Sequence, residues 1–290
     1  MKKGYIVLIS VIGVLIVVIA LLVGILLGKK QGNEQAKSDT VDVKDEKGGA
    51  DKKEEQRKSD MVFNVDGVSF KMVYVEGGFF LMGCTSEQGG DCYGDEKPAH
   101  QVKLSSYSIG ETEVTQSLWK AVMGYNPSYY KGDDLPVENV SWDDVQTFIN
   151  ELNSKTGRTF RLPTDAEWEY AARGGNKSRG YKYSGSNAIG DVAWYDDNSG
   201  EKTHPVKTKK ANELGIYDMT GNVWEWCEDW YGEYSSASQT NPKGPSTGSD
   251  RVLRGGGWGD NARRCRVSAR GGSSASNRVI ALGFRLVLVQ

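Results

Sequence analysis

Residues 176–245 contain no long periodic run: Gly, Asn, Ser, Asp and Tyr dominate, and neither the 3.6-residue nor the two-residue apolar repeat persists. A chain with so long an irregular stretch needs something to fix its backbone, commonly a metal or disulfides. One candidate lies inside it, at GIYDMTGNVWEWCEDWY (215–231). Asp218 and Glu225 there supply carboxylates, with backbone carbonyls between them, and hard oxygen ligands of that kind suit calcium. The spacing is not that of an EF-hand. Without a metal, Asp218 caps a turn and Glu225 pairs with an arginine. Trp224, Trp226 and Trp230 are read as core. The chain has four cysteines. Cys84 and Cys92 bracket a short polar loop, which suggests a disulfide and an oxidising location. Sequence does not choose among the three full pairings, and Cys84–Cys92 with Cys227–Cys265 is the one expected.

Regular structure is expected around this stretch. Phe70 to Val75 and Phe79 to Met82, separated by Gly77-Gly78, read as two strands joined by a tight turn. Three helices follow. Thr115 caps the first, which carries Leu118, Trp119 and Val122 on one face. Ser141 and Asp144 form a capping box for the second, whose stripe is Val145, Phe148, Ile149 and Leu152 and whose stop is Gly157. Thr164 and Glu167 repeat the box for the third, with Trp168 and Ala171-Ala172 facing inward and Gly174-Gly175 ending it. Residues 61–290 show no second linker and are read as one domain.

The C-terminal stretch 251–290 lays two textures over each other. Val252, Leu253, Trp258, Cys265, Val267, Leu282, Phe284, Leu286 and Leu288 form a core-like frame, and the ending GFRLVLV alternates like a half-buried strand. Small and polar residues fill the gaps. The frame is expected to hold the fold and the filling to form an exposed contact surface.

At the other end, Tyr5 to Leu27 is an uncharged apolar run flanked by Lys2, Lys3, Lys29 and Lys30, long enough to cross a hydrocarbon layer of about 30 Å. Residues 1–30 are read as a transmembrane signal anchor; a removed signal peptide is the alternative. Residues 31–60 are charged and nearly free of large apolar side chains, the composition of a disordered linker with a reach of about 30 Å. The domain is thus expected outside the cytoplasm, on a single-pass membrane tether. With 36 basic against 38 acidic side chains and no clustered basic face, nucleic acid is not expected as a partner. Only His100 and His204 exist, little material for zinc or a histidine-based triad. GPSTG (244–248) fits a nucleophile-elbow pattern but follows no strand, and RGGGWG does not complete a dinucleotide fingerprint.

Five segments together, MVYVEGGFFLMG (72–83), RLPTDAEWEYAARGG (161–175), GIYDMTGNVWEWCEDWY, RVLRGGGW and GFRLV, resemble the formylglycine-generating enzyme family, also called sulfatase-modifying-factor domains. The resemblance covers nearly all of 61–290. It implies an α+β fold related to C-type lectins, with much irregular loop, and bound calcium. The family's calcium loop corresponds here to Asp218, Gly221, Val223 and Glu225, the middle two through their carbonyls. Catalytic members oxidise a substrate cysteine to formylglycine with copper(I) and oxygen, and hold the soft ion between two cysteines five positions apart. Here the second of these is Cys265 and the first is Asp260. The family's serine after the Gly-Gly pair is Gly257. A carboxylate is a poor ligand for copper(I), so the resemblance implies the scaffold without the copper site.

The same stretch is similar to the variable proteins of diversity-generating retroelements, in which scattered codons of the last segment are rewritten. Gly259, Asp260, Arg264, Ala269, Gly271, Gly272, Ser273, Ser276, Asn277, Val279, Ile280 and Ala281 are all residues that such rewritten codons can encode, and they interrupt the apolar and arginine-rich frame. A static loop of an ordinary binding module passes the same test. The expectation is therefore a membrane-anchored, extracytoplasmic module that binds a protein or glycan through these residues, not an enzyme. The alternative is a copper-dependent formylglycine-generating oxidase in which Cys265 is catalytic.

Overall fold

The computed structural model describes residues 59–289. The expected anchor at Tyr5–Leu27 and nearly all of the linker lie outside them. No helix among the described residues is long and apolar enough to cross a membrane.

The domain opens with a hairpin that the sequence reading missed. Strands β1 (Met61–Val65) and β2 (Val68–Val75) pair antiparallel across Asp66-Gly67, both at positive φ. An Asp-Gly pair between apolar runs is a strong hairpin signal because the tightest turns need left-handed backbone at both positions. The next strand, β3 (Gly78–Met82), is not the hairpin partner of β2. It pairs with β4 (His100–Leu104), while β2 pairs with β5 (Tyr107–Gly110). Gly77 makes that divergence possible: a Cβ there would lie 2.5 Å from the Leu104 carbonyl oxygen.

The three helices form where expected, as α1 (Gln116–Met123), α2 (Trp142–Thr156) and α3 (Asp165–Ala172). The Thr115 hydroxyl accepts the Leu118 N–H, and both capping boxes close, Ser141 with Asp144 and Thr164 with Glu167. Gly157 ends α2 in the left-handed conformation. A single short turn of helix, α4 (Ile189–Val192), interrupts the irregular stretch.

The remaining strands are β6 (Phe160–Arg161), β7 (Trp224–Trp230), β8 (Gln239–Thr240), β9 (Asp250–Arg254), β10 (Arg270–Ser274), β11 (Leu282–Gly283) and β12 (Val287–Leu288). They complete a five-stranded sheet β1-β2-β5-β12-β6, a four-stranded sheet β10-β9-β7-β11 and a three-stranded sheet β3-β4-β8. The fold is α+β, and β12 returns the end of the chain to the sheet in which the domain began.

Two apolar clusters fill the interior. One joins α1 and α2 to the C-terminal segment, with Phe148 stacked on Trp119 at 5.0 Å and edge-on to Phe284 at 5.3 Å. The other gathers Val73, Val75, Ile109, Trp168, Tyr170, Val252, Val267 and Val287. The ending GFRLVLV runs between them, so it is not the half-buried alternation expected. Phe284, Leu286 and Leu288 face the first cluster, Val287 the second, and every residue from 282 to 288 is buried. Within the frame, Leu253 and Trp258 are only half-buried.

Three arginines of the C-terminal segment are also fully buried. Arg254 donates to Asp165, Glu169 and the Tyr234 phenol. Arg266 donates to both oxygens of Glu96, which Ser268 also bonds. Arg285 grips both oxygens of Glu225 at 2.6 Å and donates to the carbonyls of Gly110 and Tyr217. Removing one member of such a pair strands a charge in a low-dielectric interior. Arg285→Met is expected to lower stability by about 3–5 kcal/mol in urea denaturation, and adding Glu225→Gln to it should recover part of the loss. A single substitution costing under about 1 kcal/mol would mean that the pair is solvated.

Candidate functional site

The Gly-Gly-Gly turn after β9 brings the backbone against Cys265. Gly255 and Gly256 both have positive φ, and a Cβ on Gly256 would sit 2.6 Å from the Cys265 sulfur. Asp260 closes this turn. Its Oδ2 accepts the Trp224 indole N–H at 2.6 Å and the Gly257 amide N–H at 3.0 Å. The Cys265 thiol is buried, and burial, then the Asp260 carboxylate, pushes it far above its ordinary pKa.

The expected Cys227–Cys265 disulfide is not formed. Cys84 and Cys92 are bonded to each other, and Cys227 and Cys265 are both free and buried. Cys227 lies in the second apolar cluster on β7, close to the Asp165–Arg254 pair. Neither spacing nor composition carried the information that these two thiols serve as separate core residues.

Most of the expected contact residues do reach the surface. Gly259, Arg264, Gly272, Ser276, Asn277 and Val279 are exposed, and Asp260, Gly271, Ser273, Ile280 and Ala281 are half-buried. Ala269 is the correction. It is 1 % exposed, because the Arg254 guanidinium bonds its carbonyl and draws it into the interior. Trp258 supports the surface by donating its indole N–H to the Ile280 carbonyl. Beside it lies a cup of about 290 Å³ bounded by Tyr93, Asp95, Trp224, Arg264, Arg270 and the Gly271-Gly272 backbone. Sequence reading placed Trp224 in the core and gave Tyr93 and Asp95 no role; they arrive here from distant segments.

In the loop expected to hold calcium, Asp218 adopts positive φ and its Oδ2 accepts the Lys207 amide N–H. Glu225 is committed to Arg285 and to the Trp168 indole N–H at 2.7 Å. Asp218 thus caps a turn and Glu225 pairs with an arginine. Glu113 is also buried here, bonding the Val223 amide and the Asn222 side chain, and burial, then Asp218 and Glu225, raises its pKa strongly. Among the described residues no three His, Cys, Asp or Glu side chains are grouped to hold a metal. A cation here would therefore rest on Asp218 and backbone carbonyls, sharing Glu225 with Arg285.

A cleft of about 530 Å³ lies elsewhere. His100, Asp165, Asp229, Trp230, Tyr234 and Arg270 line it, with the 242–245 loop. Its two central carboxyls are driven apart. Burial raises Asp165, but Arg254 and Arg270 outweigh it and hold the group below the ordinary carboxylate range. Asp229, without a cationic partner and facing Asp165, is pushed up to about 8 by burial first and by Asp165 second. Its Oδ2 accepts the Asp165 amide N–H.

Residues 64–289 match the family described as the sulfatase-modifying factor enzyme 1-like domain. The chain belongs to this family. Chaperone protein LppX of Paenibacillus barcinonensis is 36 % identical over 270 residues, spanning 76 % of this chain and 90 % of LppX. The formylglycine-generating enzyme of Streptomyces coelicolor is 35 % identical over 185 residues, 58 % of this chain and 57 % of the enzyme. Among solved structures, Treponema denticola variable protein 1 superposes with a TM-score of 0.72 at 37 % identity, covering 79 % of this chain and 98 % of that one. This sulfatase-modifying-factor domain is thus similar both to formylglycine-generating enzymes and to a variable protein.

The Asp229 geometry has a pH consequence. A carboxyl with an ordinary pKa near ~4 and about 8 in the fold keeps its proton in the folded chain over that window. Its contribution to stability is full below the lower value and is lost as pH rises through the upper. Asp229→Asn keeps an oxygen for the Asp165 N–H but cannot ionise. Denaturation curves should show the variant gaining on the parent as pH rises from 5 to 8.5. A parallel pair of pH profiles would place the Asp229 charge elsewhere.

Proposed function

We propose that this chain is a membrane-tethered, extracytoplasmic ligand-binding module that presents its C-terminal loop surface to a protein or glycan and does not generate formylglycine. One observation supports this above the others: Asp260 occupies the position of the first copper-binding cysteine and is already bonded to Trp224 and Gly257. Copper(I) needs soft sulfur donors, and here one buried thiol stands without a second. The likeness to a variable protein supports the same reading. The apolar run Tyr5–Leu27 supplies the tether.

The deciding assay incubates the full chain in detergent with a cysteine-containing sulfatase-type peptide, copper and oxygen, and follows the peptide by mass spectrometry. No aldehyde is expected. Aldehyde that disappears in Cys265→Ser would establish the oxidase instead. In parallel, replacing the exposed residues Gly259, Arg264, Gly272, Ser276, Asn277 and Val279 should abolish binding of the membrane-bound chain to whole target cells and to protein and glycan arrays while leaving its melting temperature unchanged. Retained binding would remove this surface from the function.

A structural calcium ion at Asp218, with the Gly221 and Val223 carbonyls, is part of the reading. Asp218 and Glu225 are buried in this loop and supply the hard oxygen donors that calcium prefers. Chelation with EGTA should lower the melting temperature and added calcium restore it, with Asp218→Ala insensitive to both. An unchanged melting curve on chelation argues for the metal-free arrangement.

A further inference from the structure

The contact surface contains a free sheet edge, which narrows the ligand, provided the C-terminal face is the binding face. Strand β10 is the last strand of its sheet and bonds only to β9. In an antiparallel pair alternate N–H and C=O groups point away from the partner, so half of the polar backbone of β10 faces outward. Proteins usually blunt such an edge with lysine, proline or a bulge. Here the strand is Arg270, Gly271, Gly272, Ser273 and Ser274, in uninterrupted register with β9. Its one long side chain turns inward, where Arg270 pairs with Asp165 and bonds the Gly232 carbonyl. Gly271 and Ser273 are half-buried and Gly272 is exposed, so small residues leave the edge open.

The cup of Tyr93, Trp224 and Arg264 adjoins this edge at Gly271 and Gly272. The charge it offers to solvent is basic. Arg264 is exposed, and among the described residues its guanidinium makes no hydrogen bond; its nearest carboxylate oxygen, on Asp260, is 3.7 Å away. Arg263, stacked on Tyr93 at 3.9 Å, bonds only the carbonyls of Asp91 and Cys92. Asp260 turns Oδ1 toward Arg264 as its ion-pair partner, and the other acid oxygens here are committed inward. Asp260 Oδ2 holds Trp224 and Gly257, Asp95 Oδ2 accepts the Tyr231 phenol, and Asp95 Oδ1 is buried.

We infer that this module takes an extended peptide segment, which adds as a strand along the outer edge of β10 and lays a carboxylate side chain in the cup against Arg264. A peptide backbone offers alternating donors and acceptors at the spacing of a strand edge. A saccharide offers no such repeat. The planar, always-charged guanidinium of Arg264 suits a carboxylate. Asp260 then has a positioning role, holding the Trp224 indole as one wall of the cup.

The test uses the full chain in detergent micelles and fluorescein-labelled, end-blocked peptides of alternating valine and glutamate. Anisotropy should show binding that weakens as salt rises, and hydrogen exchange should slow selectively at residues 271–273. The valine–lysine counterpart, and the parent peptide against Arg264→Gln, should each bind about tenfold more weakly or worse, as expected for a lost charge-assisted hydrogen bond. N-methylation of every second amide on the pairing side should abolish binding. The inference is overturned by absence of binding, by equal affinity for the lysine peptide, or by indifference to N-methylation. It is also overturned if 3′-sialyllactose competes for Arg264 while exchange at 271–273 is unchanged, since that marks a sugar carboxylate. None of these outcomes touches the binding-module reading, which fails if replacing the 259–281 surface leaves cell and array binding intact or if Cys265-dependent aldehyde forms.

Discussion

Buried guanidinium–carboxylate pairing organises this domain more than any single apolar contact. Arg254, Arg266 and Arg285 all lie in the last segment, and each reaches back to an acid far away in the sequence: Asp165 and Glu169, Glu96, and Glu225. A charge carried into a low-dielectric interior tolerates only well-bonded geometry. The three pairs therefore act as positional pins. They tie the C-terminal chain to α3, to the disulfide loop and to β7, through a region where regular secondary structure is sparse.

Those pins explain how a segment can be anchored and open together. Its apolar and arginine side chains point inward, so the residues between them are freed from packing. Gly259, Arg264, Gly272, Ser276 and Asn277 lie at the surface because Cys265, Arg266 and Val267 on one side, and Leu282, Phe284 and Arg285 on the other, do not. Substituting the exposed filling leaves the pins untouched.

Asp260 shows how a small change redirects a scaffold. A carboxylate at that position accepts two hydrogen bonds that no thiolate would hold as well, one from an indole and one from the backbone. It stabilises the glycine turn and orients Trp224. The gain is local and structural: one carboxylate fixes an indole and a glycine turn, beside the free and buried Cys265.

The α1, α2 and α3 boundaries, their caps, the Cys84–Cys92 link and the division of the C-terminus into frame and filling were legible in the residue order, because capping, short-loop closure and local periodicity are decided within a few positions. Residue order could not show that Phe79 leaves Phe70 for another sheet, that Cys227 and Cys265 stay apart, that Ala269 is drawn inside, or that Tyr93 and Asp95 meet Trp224 at a cup. It did not show which arginine meets Glu225, and the structure shows Arg285. Each of these depends on which distant segment arrives alongside. That is settled by burying charge with its partner and apolar area with its complement, over separations that no local pattern records.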